Sequence, residues 1–246
     1  MIKDPEIIKY LKGEAFTNTL NVELDHAKFE GLKRERIIVD LIKNSKVIHV
    51  GCTDHIQLIN EKIEQNLWLH KLITDNAQKC IGIDIDREGI EYLKNNLGYT
   101  NVICGNVLSD ELPELKKENW DFVVFGEIIE HLDDPVNFLK TFRQKFSDTT
   151  SNFILTVPNI LTKNSFRNML SFREVINSDH RYWFTPYTIS KVLYRAGYVP
   201  EKIFFSNLTS LNFHQLIIRK IKQILGLKVE YQFYSFNTMI VSGRVS

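Results

Sequence analysis

The sequence is short of the residues that interrupt regular structure and of those that staple small folds: 11 glycines, 6 prolines and 3 cysteines in 246 residues. Sparse Gly and Pro exclude collagen-like and low-complexity chains. Cys52, Cys80 and Cys104 are odd in number, show no C-x-x-C pairing and lie in apolar stretches. A disulfide scaffold is excluded, and buried reduced thiols are predicted. No apolar run reaches the roughly 20 residues of a membrane span. The charged opening "MIKDPEIIKYLKGEAF" lacks the apolar core of a signal peptide. With a formal net charge of +1, no global field argues for nucleic acid or an acidic partner. Together these absences predict a cytoplasmic protein.

What is present is alternation. Strand-like apolar runs occur at "KVIHV" (46–50), "KCIGIDI" (79–85), "NVICGNV" (101–107), "DFVVFGE" (121–127) and "NFILTV" (152–157). Helical spacing separates them: Ile56, Ile59, Ile63 and Leu67 mark one stretch, Ile90, Leu93 and Leu97 another. Val136, Leu139 and Phe142 follow Asp134, a candidate cap, and Pro135, suited to the first helical position. Near-continuous apolar strands alternating with helices predict a doubly wound α/β fold, its parallel sheet covered on both faces. Further on, "TPYTISKVLYRAGY" (185–198) reads as a capped helix ending at Gly197. "VPEKIFFSNL" (199–208) and "YSFNTMIVSGRV" (234–245) read as two late strands, an antiparallel pair at the sheet edge. Residues 211–228 form an amphipathic pattern with Arg219, Lys220 and Lys222 on its polar side. It suits a helix packed on the sheet or over a substrate pocket, or peripheral membrane contact.

Ligands of such sheets bind beyond the carboxyl ends of the strands. Gly51, Cys52 and Thr53 follow the first strand, Asp84 and Ile85 end the second, and Asn106 follows the third. Gly126 and Glu127 end the fourth, and Glu130 and His131 come just after it. A glycine permits close backbone approach, a carboxylate accepts two ribose hydroxyls, and an amide can pair with an adenine edge.

In their order, "VIHVGC", "CIGIDIDREGIEYLK", "VICGNV", "WDFVVFGEIIEHLDDPVNFL" and "ILTVPN" resemble the class I S-adenosylmethionine-dependent methyltransferases. The likeness is to the branch with an E-x-x-E-H-L-x-x-P segment after the fourth strand, and "DHRYWFTPYTISKVLYRAGY" is similar to a segment further along that branch. The resemblance implies a seven-stranded, mostly parallel sheet with a reversed last strand and a small helical cap. It implies S-adenosyl-L-methionine as cofactor, with Gly51, Cys52 and Thr53 at its methionine end and Asp84 on the ribose. Ile85 would lie beside the adenine, Asn106 near its amine, Gly126 and Glu127 beneath the methionine, and Arg34 toward the carboxylate. One methyltransferase domain over 1–246 is expected: N-terminal helices (1–45), cofactor core (46–160) and acceptor-side segments (161–246).

The first loop departs from the family's D-x-G-x-G-x-G. His49 replaces the Asp, and Thr53 and His55 replace later glycines. Thr53 and Asp54 are therefore expected to contact the methionine amine with their side chains. Gly51 and Asp84 also stand further apart than the roughly 20 residues usual in dinucleotide folds. The surplus, 56–78, is longer than one helix requires.

For the acceptor, His131 beside Glu130 and His180 in "SDHRYW" are candidate bases. The competing reading has Glu130 and His131 holding their loop. Asp179, Arg181, Tyr182 and Trp183 would bind a polar or sugar-like acceptor, or else form an anchored loop. No trio of His, Asp or Cys shows metal-ligand spacing, so no metal is expected. The expected activity is O-methylation of a small molecule or sugar/polysaccharide precursor, without a nucleic-acid partner. A quinone-like or lipid acceptor, or a non-catalytic binding protein, are the alternatives.

Overall fold

The computed structural model describes residues 2–24, 28–29, 33–208 and 233–245; the predicted amphipathic stretch at 211–228 lies outside them. Seven strands take the expected positions: β2 (Lys46–Val50), β3 (Lys79–Asp84), β4 (Val102–Cys104), β5 (Trp120–Gly126), β6 (Thr150–Pro158), β7 (Tyr198–Leu208) and β8 (Phe236–Val245). A two-residue β1 (Lys28–Phe29) adds an eighth, parallel to β7. Sheet order is β1-β7-β8-β6-β5-β2-β3-β4. The reversed last strand is β8, antiparallel to both β6 and β7. The late pair is thus antiparallel as read, but β8 sits inside the sheet and not at its edge. There it completes the backbone hydrogen bonds of two strands at once.

Consecutive strand residues serve opposite layers. Ile48, Val50, Val123, Phe125, Phe153 and Leu155 face one core, with Phe138, Leu139 and Phe142 of α7 (Pro135–Phe146) and Ile189 and Leu193 of α9 (Pro186–Ala196). Val47, Val124 and Ile154 face the other, with Ile37, Ile38 and Ile42 of α2 (Arg34–Ile42) and Leu69 and Ile73 of α4 (Leu69–Asn76). Burial on both faces is why these strands read as unbroken apolar runs.

The helix signals hold. Asp134 caps α7 by accepting from the Asn137 N–H, with Pro135 opening the helix. A Thr185/Thr188 capping box starts α9, and Gly197 ends it at φ 89°. The 56–78 surplus is two helices, α3 (Ile56–Glu64) and α4, and Leu67 falls in the turn between them. Ile59 of α3 and Trp68, just before α4, pack with Cys52, Ile90 and Leu93, the last two from α5 (Arg87–Asn95). The insertion is therefore a floor under the first loop. The cysteines are free thiols, with Cys52 and Cys80 buried and Cys104 partly so. Burial pushes the Cys80 thiol up to about 12, which leaves it protonated and inert.

Candidate active site

The carboxyl ends of β2 to β5 open into one cleft of about 1640 Å³. Its wall begins at Gly51, which takes φ 74° as its N–H reaches the Ile83 carbonyl at 2.8 Å. A Cβ there would lie 2.3 Å from Ile128 Cγ2. Left-handed backbone and the contact both demand glycine. A Gly51→Ala variant is expected to lose about 2–4 kcal/mol of stability from strain and overpacking, measurable by urea unfolding.

The first loop is tied to the second strand. The Thr53 N–H and Oγ1–H both donate to Asp84 Oδ2, at 3.0 and 2.6 Å, and the Asp86 N–H donates to Asp84 Oδ1 at 3.0 Å. Three donors fix the Asp84 carboxylate and leave lone-pair capacity facing the cleft. Thr53 and Asp54 both line the cleft, and each side chain also has a partner within the protein. Thr53 is occupied in positioning Asp84, and Asp54 is paired with Lys62 of α3. Thr53, in place of a glycine, and its neighbour Asp54 stiffen the loop from within.

Next along the cleft, Ile85 is 70% exposed, an apolar platform of the kind an adenine ring covers. Asn106 accepts the Leu108 N–H on Oδ1 at 2.8 Å, and its Nδ2 has no partner among the described residues. That NH2 can donate to an adenine ring nitrogen. At the far end, Arg34 forms ion pairs with Glu127 (2.5 Å) and Glu35 (3.0 Å). Five guanidinium donors exceed those two partners, so the side chain can still meet a carboxylate. Glu127 holds it from a left-handed backbone, φ 56°, an expensive conformation found where a site imposes it. Gly126 admits α4: a Cβ there would lie 2.8 Å from Leu69 Cδ2.

His49, at the family's Asp position, faces inward. Its Nδ1 lies 3.2 Å from Nδ1 of His70, brought by α4, with the rings stacked. Both are buried, and neither Nε2 has a partner among the described residues. Room for this pair comes from Gly82, where a Cβ would meet His70 Cε1 at 2.7 Å and Cys52 Sγ at 2.8 Å. His49, Cys52, His70 and Gly82 are therefore one mutually fitted substitution for the usual glycine loop.

The acceptor side gathers Glu130, His131 and His180, all lining the same cleft. Glu130 and His131 lie on a 3-10 turn (Ile129–His131) after β5. The His131 and His180 rings meet edge to face at 4.7 Å. Burial, then the Glu127 charge, push the Glu130 carboxyl up to about 8 despite the opposing pull of the residue's own backbone N–H dipole and of Arg34. Burial and the adjacent His131 lower His180, which keeps its imidazole neutral and able to accept a proton at pH 7. Arg181 explains how a distant segment delivers His180. Its N–H donates to the Glu130 carbonyl at 2.8 Å, and its guanidinium binds Asp133 and the His131 carbonyl. The Tyr182 hydroxyl donates to the Asp133 carbonyl at 2.8 Å, and Trp183 Nε1 to Glu174 at 2.9 Å. Of the four residues read around His180, three anchor the loop, while Asp179 lines the cleft with Asn177. Sequence spacing could not show the Glu130–His131–His180 trio, because His180 comes from a segment that only this stitching joins to the turn.

The comparisons agree with this geometry. Residues 25–203 match a family model described as a methyltransferase domain. A SAM-dependent methyltransferase from Archaeoglobus fulgidus superposes with a TM-score of 0.51 at 18% identity, over 86% of this chain and 91% of the other. One from Aquifex aeolicus gives 0.51 at 14%, over 99% of both chains. A small RNA methyltransferase gives 0.53 at 18%, over 93% of this chain and 27% of that one. At such identities the likenesses show the fold, and the family model carries the assignment. No curated protein matches the sequence. The chain belongs to the class I S-adenosylmethionine-dependent methyltransferases, and S-adenosyl-L-methionine is its methyl donor.

Proposed function

We propose that this methyltransferase acts in the cytoplasm on a hydroxyl of a small polar acceptor, a sugar or polysaccharide precursor. The observation that carries the reading is the gathering of Glu130, His131 and His180 in the cleft that also holds Asp84. The bound cofactor supplies a methyl group on a positively charged sulfur, a strong electrophile. What remains for the chain is to align an oxygen, exclude water and weaken its O–H bond. Asn177 and Asp179 at the rim offer an amide and a carboxylate to neighbouring hydroxyls. Net charge +1 supports a small acceptor over a polyanion.

His131→Ala and His180→Ala are each expected to lower turnover at least about tenfold, about 1.4 kcal/mol of barrier, with S-adenosylhomocysteine affinity retained. Assays with a panel of free and nucleotide-linked sugars would show it. Transfer only to amines, or unchanged rates in both variants, would refute the hydroxyl reading.

A second reading, a lipid or quinone-like acceptor, is supported by one feature. From Leu161 through α8 (Lys163–Leu170) to Ile176 the surface exposes Phe166, Met169, Leu170, Phe172 and Val175, next to the acceptor rim. No described helix is long and apolar enough to cross a membrane, so contact would be peripheral. Co-sedimentation with anionic vesicles, abolished by Phe166→Ser with Phe172→Ser, is the result this second reading expects.

A further inference from the structure

Glu130 is fully buried, yet neither carboxylate oxygen has a partner among the described residues. Nδ1 of His180 is in the same condition. Buried polar groups are rarely left so, and the exceptions call for a ligand or a role. One ligand atom from each of Glu130, His131 and His180 lies within 4.8 Å of the other two. We infer that these three side chains form a divalent-cation site that holds and acidifies the acceptor hydroxyl.

The donor chemistry decides which ion. Two imidazole nitrogens and one carboxylate oxygen suit first-row divalents such as Mn²⁺, Co²⁺ or Zn²⁺ better than an all-oxygen ion such as Ca²⁺. Ligand atoms about 2.1 Å from one ion stand close to 3 Å apart, so modest side-chain rotations close the site. Three protein ligands leave coordination positions open, as a catalytic centre requires. A second carboxylate nearby, Glu127, is already held by Arg34, which leaves those positions to the acceptor. Arg181 and Tyr182 supply the outer support, fixing the backbone on both sides of the site.

This inference rests on the hydroxyl reading and deepens it, because a cation lowers the pKa of a coordinated O–H. In the step itself the acceptor oxygen forms a bond to the methyl carbon. The carbon–sulfur bond breaks with its electron pair returning to sulfur, and the hydroxyl proton passes to solvent water. The histidines then act as ligands, and no protein base is needed.

The test is a titration of the EDTA-treated full chain with Mn²⁺, followed by the electron paramagnetic resonance of the free ion. One Mn²⁺ per chain is expected, with Kd below about 0.1 mM. His180→Ala and Glu130→Gln should each weaken it at least tenfold while S-adenosylhomocysteine affinity, the check on folding, stays unchanged. No saturable binding up to millimolar Mn²⁺, or equal binding in all three proteins, would overturn the site. Because neither acceptor nor turnover enters this measurement, the two ideas separate. Histidine variants that lose turnover in a chain binding no ion would overturn the site and keep the hydroxyl reading. An ion bound by an enzyme that methylates only amines would do the reverse.

Discussion

Asp84→Ala is expected to weaken S-adenosylhomocysteine binding about a hundredfold, about 2.7 kcal/mol. Two hydrogen bonds from ribose hydroxyls to an ionised carboxylate contribute about 1.5–3 kcal/mol each. The carboxylate is also the post to which the first loop is tied, through the Thr53 N–H and hydroxyl at 3.0 and 2.6 Å. With the ribose on Asp84, as expected, removing the carboxylate would cost both that contact and the loop's shape. Thr53→Val, which spares the carboxylate and breaks only the hydroxyl bond, should cost less, about tenfold. Calorimetry on the three proteins gives the ordering. Equal affinities would mean that the ribose lies elsewhere.

The second large effect is on stability and comes from the buried histidine pair. Burial lowers His70 to about 4, and burial, His70 and Arg34 together lower His49 well below its ordinary value. Both folded values lie below the unfolded value of about 6.5. The folded state therefore binds fewer protons, and the pair's contribution is complete above about pH 6.5 and is lost as pH falls toward 4. From pH 7 to pH 5, His70 alone accounts for a loss of about 2 kcal/mol. Glu130 works the other way. Its folded value is raised to about 8, so its destabilising effect is greatest at high pH and is relieved over the same acidic interval. The wild-type curve partly hides the histidine effect, and the measurement must be a difference. Urea unfolding of wild type and His70→Leu at pH 7 and pH 5 should show their stability gap moving by about 2 kcal/mol in favour of the variant at pH 5. A gap independent of pH would contradict the account.

These residues also show what the sequence could and could not reveal. Strand positions were legible because burial on both faces leaves continuous apolar runs, as at Val123 to Phe125. Asp134, Pro135 and Gly197 marked helix ends through local chemistry that needs no tertiary context. Gly51, Asp84 and Ile85 were legible because strand ends of a doubly wound sheet converge on one cleft. The binding of Thr53 to Asp84 was not, since it depends on how β2 and β3 stand side by side. Nor was the partnership of His49, His70 and Gly82, which α4 creates from the insertion. The place of β8 between β6 and β7 escaped for the same reason, because order within a sheet is set by non-local pairing. The Glu130–His131–His180 trio depends on Arg181 drawing two segments together, and no spacing rule records that.

The central claim is that the altered first loop still seats the methyl donor, with Asp84 on its ribose and its methionine end directed toward the trio. A crystal structure with S-adenosylhomocysteine tests it most directly. The account predicts ribose hydroxyls within hydrogen-bonding distance of Asp84, adenine against Ile85 near Asn106, and the amino-acid carboxylate at Arg34. A nucleoside bound in another orientation, or a cleft with no ligand density at millimolar concentration, would contradict it.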